Sequence, residues 1–114
     1  MSIRLDIRNA IPKGLDRTAS LCLYRVAQEA LHNVIAHSQG TQAVVELMAR
    51  EGDIVLRILD DGIGFDRERV NVGLGLQSMR ERVRSVDGSI DILSSPKMGT
   101  RIEVRVPIGR SKVE

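Results

Sequence analysis

Apolar and polar positions alternate along residues 3–8 (IRLDIR), the period of a strand with one buried face. Residues 10–15 (AIPKGL) break the pattern and read as a loop. A helical period then takes over, with Leu23, Val26, Ala27, Ala30, Leu31 and Val34 on one arc. Asp16 or Thr18 is placed to cap that helix, which is predicted to run to about His37 and to end at SQGT, residues 38–41. Residues 43–49 (AVVELMA) and 54–60 (IVLRILD) return to strand patterning and are joined across REGD. A polar stretch, residues 65–72, leads into GLGLQSMRERVRSV, residues 73–86. This opens on glycines and becomes an amphipathic helix carrying Leu76, Met79, Val83 and Val86 at helical spacing. SIDIL (89–93) and TRIEVRV (100–106) complete the set as two further strands. The order predicts an α/β (α+β) two-layer sandwich, a mixed sheet of about five strands with helices on one face.

Composition narrows the class. The chain has 114 residues, enough for one compact domain and short for two. Hydrophobic residues make up 42% and aromatics only 2%, so the core is aliphatic. The net charge of +2 is spread among acids with no run of Lys or Arg, which argues against a nucleic-acid surface. A single cysteine, Cys22, excludes an internal disulfide and a multi-cysteine zinc site, and reads as a small apolar packing residue. No run is long enough to cross a membrane and no leader is visible, so a cytoplasmic location is expected.

Three local patterns carry chemistry. In ILDDGIGF, residues 58–65, a strand delivers Asp60 and Asp61 against Gly62 and Gly64. The plain reading is a turn, which Asp and Gly favour. The alternative is a carboxylate fixed beside a backbone with no side chains to block a ligand. On the long helix, Glu29, Asn33 and His37 are four apart and form one stripe at the margin of the apolar arc, since such spacing drifts only about 40° per step. Arg25, Gln28 and His32 point further out. A carboxylate, an amide and an imidazole suit a hard cation with its waters and a neighbouring phosphate. The glycines of NVGLGL, ahead of the second helix, would leave backbone N–H groups free at a helix N-terminus, where anions bind. No GxxxxGK[ST] and no GxGxxG is present, so neither a Walker A loop nor a dinucleotide fingerprint applies.

Taken in order, RVAQEALHNVIAHS, DDGIGF, GLGLQSMRERV and SSPKMGTRIEVRVP resemble the nucleotide-binding boxes of the GHKL superfamily, which has the Bergerat-type ATP-binding fold. They are most similar to the catalytic domain of NarL/DesK-type sensor histidine kinases. The resemblance spans about Ile3 to Pro107. It implies that Asp60 accepts a hydrogen bond from the adenine amino group, that Gly62 and Gly64 keep the backbone clear of the purine, and that Asp61 is an ordinary turn residue. It implies further that Asn33 is a magnesium ligand and Glu29 an acid that binds a magnesium water or assists proton transfer. His37 would lie near the phosphates, which Gly73, Gly75 and the following amide of Leu76 would cradle. Thr100 would help close the adenine pocket, and residues 65–72 would form a short ATP lid.

The same resemblance implies ATP and Mg2+ as cofactors. It implies a single domain, 1–114, cut from a longer kinase whose separate dimerisation domain carries the phosphoaccepting His, and a response regulator acting downstream. The isolated domain is expected to be monomeric. No dimerisation hairpin is recognisable in the sequence, and His32 within ALHN reads as an exposed helix residue rather than an acceptor. Asp87 stands where relatives usually have Gly, and His32 where many have Thr. An anti-sigma-factor serine kinase, a gyrase or MutL ATPase, and a non-catalytic nucleotide-regulated binding module are the rival readings. The spellings MRERV and QEAxxN favour the sensor kinase.

Overall fold

The structure, a computed structural model, describes residues 2–8, 15–63, 76–94, 97 and 99–108. Its elements are β1 (Ser2–Arg8), α1 (Arg17–Asn33) continued by a π-helical turn (Val34–Ser38), β2 (Gln42–Arg50), β3 (Asp53–Asp60), α2 (Leu76–Ser85), β4 (Ser89–Ser94) and β5 (Thr100–Pro107). The strands form one sheet in the order β1-β2-β3-β5-β4. β1 runs parallel to β2, and the other neighbours are antiparallel. Parallel strands need a crossover, and α1 provides it.

Register explains which face the helices take. Ala43, Val45 and Leu47 on β2, Ile54, Leu56 and Ile58 on β3, and Ile102, Val104 and Val106 on β5 share one face. They pack with Ala19, Cys22, Leu23, Val26, Ala30 and Val34 of the long helix and with Leu76, Met79 and Val83 of α2 in a single apolar cluster. Burying a large aliphatic side chain is worth about 1.5–3 kcal/mol, so this cluster is what holds the helices down. Cys22 belongs to it as expected, 6% exposed, with Sγ 3.5 Å from the Arg82 carbonyl. Its burial pushes the thiol above the ordinary value, against the opposing pull of Arg82.

The opposite face carries an ionic cluster beside the buried pair Met48 and Val55. Glu103 lies between Arg57 (2.8 Å), Arg101 (3.0 Å) and Arg105 (3.2 Å). Hydrogen bonding from Arg57 is the largest influence, and the arginines together hold the Glu103 carboxyl at about 2.

Two expectations change. Asp16 occupies the cap position of α1 without a side-chain cap bond, and Thr18 lies inside the helix as its second residue. The long helix does reach Ser38, but its last turn, beginning immediately after Asn33, is π-wound. Asp87 itself takes the left-handed conformation, φ 60°, where a glycine was the expected residue.

Candidate functional site

β3 ends at Asp60, which faces the helix-covered side. Across β5 its register partner is Thr100, and across β4 the partner of Thr100 is Ser94. Asp60 Oδ1 accepts the Gly62 N–H at 2.8 Å, so the first glycine after the strand turns its amide back onto the carboxylate. Burial raises the Asp60 carboxyl above its ordinary range, and the Asp61 charge adds to this. The Gly62 and Thr100 amides pull the other way without cancelling it. A half-buried carboxylate with an unfavourable environment for its charge, at a strand end, is a functional-site feature. Leu59, Asp60, Leu93, Ser94, Gly99, Thr100 and Arg101 line a pocket of about 380 Å³ at this end of the sheet. Of these, Leu59, Leu93 and Arg101 belong by register to the face away from the helices.

The backbone around Asp60 is close-packed. Gly99 has φ +79°, and a Cβ placed on it would lie 2.3 Å from the Asp60 carbonyl oxygen. Only glycine permits both the left-handed conformation and that approach. On the other side, a Cβ on Gly40 would meet Asp61 Oδ1 at 2.4 Å and Gly62 N at 2.8 Å. Asp61 is therefore more than an ordinary turn residue. Its carboxylate accepts from Thr41 N (2.8 Å), Thr41 Oγ1 (2.7 Å) and Gln42 N (3.0 Å), tying the end of β3 to the start of β2. The bonds from Gln42 and Thr41 hold the Asp61 carboxyl below its ordinary value. Adjacent carboxylates thus divide: Asp61 is bonded into the scaffold, and Asp60 is left facing the pocket.

Glu29 and Asn33 are both half-buried on α1, one turn apart, as their spacing predicted. Glu29 also lines a cleft of about 350 Å³ between the helices, with Arg25, Gln28 and His32 on one wall and Ser78, Met79 and Arg82 on the other. Arg25, Gln28 and His32 are exposed, as expected, but into this cleft. The stripe argument does not carry to His37, because the α-helical angle per residue stops at Asn33. The side chain of His37 lies outside what is described. So do Gly64, Gly73 and Gly75, and the stretch 65–72 expected to form a lid. Leu76 is the first residue of α2 and is 1% exposed, so its side chain packs in the core and only its backbone is available for a ligand.

Among the described residues no group of three His, Cys, Asp or Glu side chains could hold a metal ion. Glu29 and Asn33 offer a carboxylate and an amide oxygen, ligand types that hard cations accept together with phosphate and water. Among these residues no helix is long and apolar enough to cross a membrane.

Sequence reasoning passed over Gly40, Thr41 and Ser94. Gly40 and Thr41 were read as the end of a helix, and nothing local signalled that Asp61 reaches back to them over twenty residues. Ser94 became visible only when the register placed it beside Thr100.

Comparison with known proteins gives the family and the fold. Residues 18–110 match the family described as Histidine kinase-, DNA gyrase B-, and HSP90-like ATPase. The sensor protein VraS of Staphylococcus saprophyticus is 41% identical over 101 residues, 88% of this chain and 28% of that protein. VraS of Staphylococcus haemolyticus is 39% identical over 112 residues, 96% of this chain and 31% of that protein. The chain therefore spans less than a third of the curated relatives it matches. The histidine kinase domain of the blue-light activated histidine kinase EL346 of Erythrobacter litoralis superposes with a TM-score of 0.73 at 21% identity, covering 97% of this chain and 53% of that one. The Acinetobacter baumannii histidine kinase AdeS superposes with a TM-score of 0.75 at 18% identity, covering 96% and 55%. These two likenesses are of fold.

Proposed function

The chain belongs to the Histidine kinase-, DNA gyrase B-, and HSP90-like ATPase family, and from that premise we propose that it is the ATP-binding catalytic domain of a longer two-component sensor histidine kinase. The observation that carries this reading is Asp60, half-buried at the end of β3 and opposite Thr100 in an open pocket. In this reading Asp60 accepts from the adenine amino group and Thr100 closes the pocket. The amide of Leu76, with those of Gly73 and Gly75, holds phosphate oxygens at the start of α2. Gly64 borders the purine beside Gly62, and His37 lies near the phosphates. Asn33 and Glu29 supply the oxygens for Mg2+, whose charge would offset that of the phosphates.

Transfer of the γ-phosphoryl group needs positioning and charge neutralisation more than covalent help from the protein. The acceptor would be a histidine on a separate dimerisation domain, and a response regulator would act downstream. The domain would work as a monomeric unit on the cytoplasmic side, where ATP is available. Relatives named as sensor proteins favour this over the anti-sigma-factor kinase reading.

Incubation with γ-labelled ATP tests the division of labour. The chain alone is expected to bind ATP and remain unlabelled, and a dimerisation domain from the same parent is expected to take the label. Stoichiometric acid-labile phosphate on the chain alone would contradict the proposal and return His32 to consideration. The magnesium assignment is tested by nucleotide affinity with and without chelator. Asn33→Ala should weaken binding chiefly when magnesium is present, and His32→Ala should change little in either condition. The reverse pattern would refute the assignment of Asn33.

A further inference from the structure

Asp60, Thr100 and Ser94 form one row across β3, β5 and β4, each in direct register with the next. Ser94 Oγ lies 3.2 Å from the Gly99 carbonyl oxygen and 2.9 Å from Thr100 Oγ1. A carbonyl oxygen only accepts, so the first bond uses the single hydroxyl proton of Ser94. The second contact is then a hydrogen bond only with Thr100 as the donor. The one hydroxyl proton of Thr100 is thereby directed at Ser94, and what Thr100 has left to offer is a lone pair. Asp60, as a carboxylate, also offers lone pairs only. Ser94, Thr100 and Asp60 line the same pocket.

We propose that Ser94 is a positioning residue for base selectivity: by holding the hydroxyl proton of Thr100, it keeps this wall of the pocket an array of acceptors. An exocyclic amino group satisfies such a wall, and an exocyclic oxygen does not. The inference rests on the reading of Asp60 and Thr100 as the purine pocket. It extends that reading to a residue on a different strand, which reaches the ligand only through Thr100. The competing role for Ser94 is to tie the β4–β5 connection through Gly99, which would support both kinds of base equally.

Inosine triphosphate separates the two roles. Its base carries an oxygen where adenine carries the amino group and an N1–H where adenine has a bare N1, with the phosphates unchanged. Because the N1 difference is the same for every variant, the change in the ratio between variants reports the exocyclic position. Affinities for ATP and ITP would be measured by calorimetry on the chain, with thermal melts alongside, for wild type, Ser94→Ala, Thr100→Val and the double variant. Loss of the Ser94 hydroxyl frees the Thr100 proton to turn toward the ligand and donate to the inosine oxygen. The ATP-to-ITP affinity ratio is then expected to fall about two- to tenfold, the range of one neutral hydrogen bond, mainly through tighter ITP binding. In the Thr100→Val background, Ser94→Ala should change the ratio no further. Ser94→Cys, which keeps the volume but is a poor acceptor, should lower the ratio as alanine does, so the test survives if the alanine variant folds poorly. If Ser94→Ala weakens ATP and ITP equally, the serine serves the turn alone and the inference is overturned while the purine pocket stands. If the wild-type chain already binds the two nucleotides equally, the purine-pocket reading fails and the inference fails with it.

Discussion

The two ends of β3 turn the chain in opposite ways. At Arg50–Asp53 it reverses through Glu51 (φ 53°) and Gly52 (φ 85°), and a Cβ on Gly52 would meet nothing within 4 Å. At Asp60 the chain is hemmed in, with the added Cβ of Gly99 at 2.3 Å from one carbonyl and that of Gly40 at 2.4 Å from a carboxylate. Gly52 answers a conformational requirement. Gly99 answers a conformational and a steric one together. The difference teaches where the fold is constrained beyond making a turn. The constrained end is the one holding the half-buried carboxylate and the pocket, and the open end is an ordinary hairpin.

Gly99→Ala should break the comparison most severely. It combines left-handed backbone with a clash against main chain that cannot swing away, so a loss of about 3 kcal/mol or more is expected, visible in thermal or denaturant melts. A shift of under 1 kcal/mol would mean that the site end is as pliant as the hairpin end. Gly52→Ala is the matched control. It meets only the conformational penalty, about 1 kcal/mol, because space is open around it.

The ionic face gives a pH test on a group outside the pocket lining, although its partner Arg101 borders the pocket. Glu103 is held at about 2 against an ordinary 4.5, so its folded-state value is the depressed one. Its contribution is therefore complete above the unfolded value and is lost as pH falls through the folded one, between about pH 5 and pH 2. With the side chain 12% exposed, the pairing is worth about 1–3 kcal/mol after screening. Glu103→Gln should flatten that acid limb in melts taken across the window. An unchanged limb would remove Glu103 from the account of acid stability.

Much of this architecture was legible in the sequence. Strand patterning in IRLDIR, AVVELMA, IVLRILD and TRIEVRV placed strands to within a residue at their ends. The single buried face expected of IRLDIR is not found: Ile3, Leu5 and Ile7 are exposed on the edge strand β1, and β3 buries Val55 as well as Ile54 and Leu56. Helical spacing found the buried arc of α1 and the Glu29–Asn33 pair. The parts that were not legible depend on contacts between distant residues. The π-wound turn after Asn33 leaves no trace in an apolar pattern read at a fixed angle. Asp61 looked like a turn residue because turn chemistry is local, whereas its partners, Thr41 and Gln42, are about twenty positions away. Ser94 carried no signal until register set it against Thr100.

The neighbouring acids provide the most direct test of the central claim, that Asp60 reads the base and Asp61 holds the scaffold. The measurement is ATP and GTP affinity by calorimetry, with melts, for wild type, Asp60→Ala and Asp61→Ala. A carboxylate accepts from the adenine amino group and has no favourable partner in the guanine oxygen, so wild type should prefer ATP. Asp60→Ala should lose about 1.5–3 kcal/mol of ATP binding, roughly tenfold to a hundredfold, while its melt holds. Asp61→Ala should lower the melt and lose affinity only as far as the strand end loosens. Equal ATP and GTP affinity in wild type, or undiminished ATP binding in Asp60→Ala, would contradict the account.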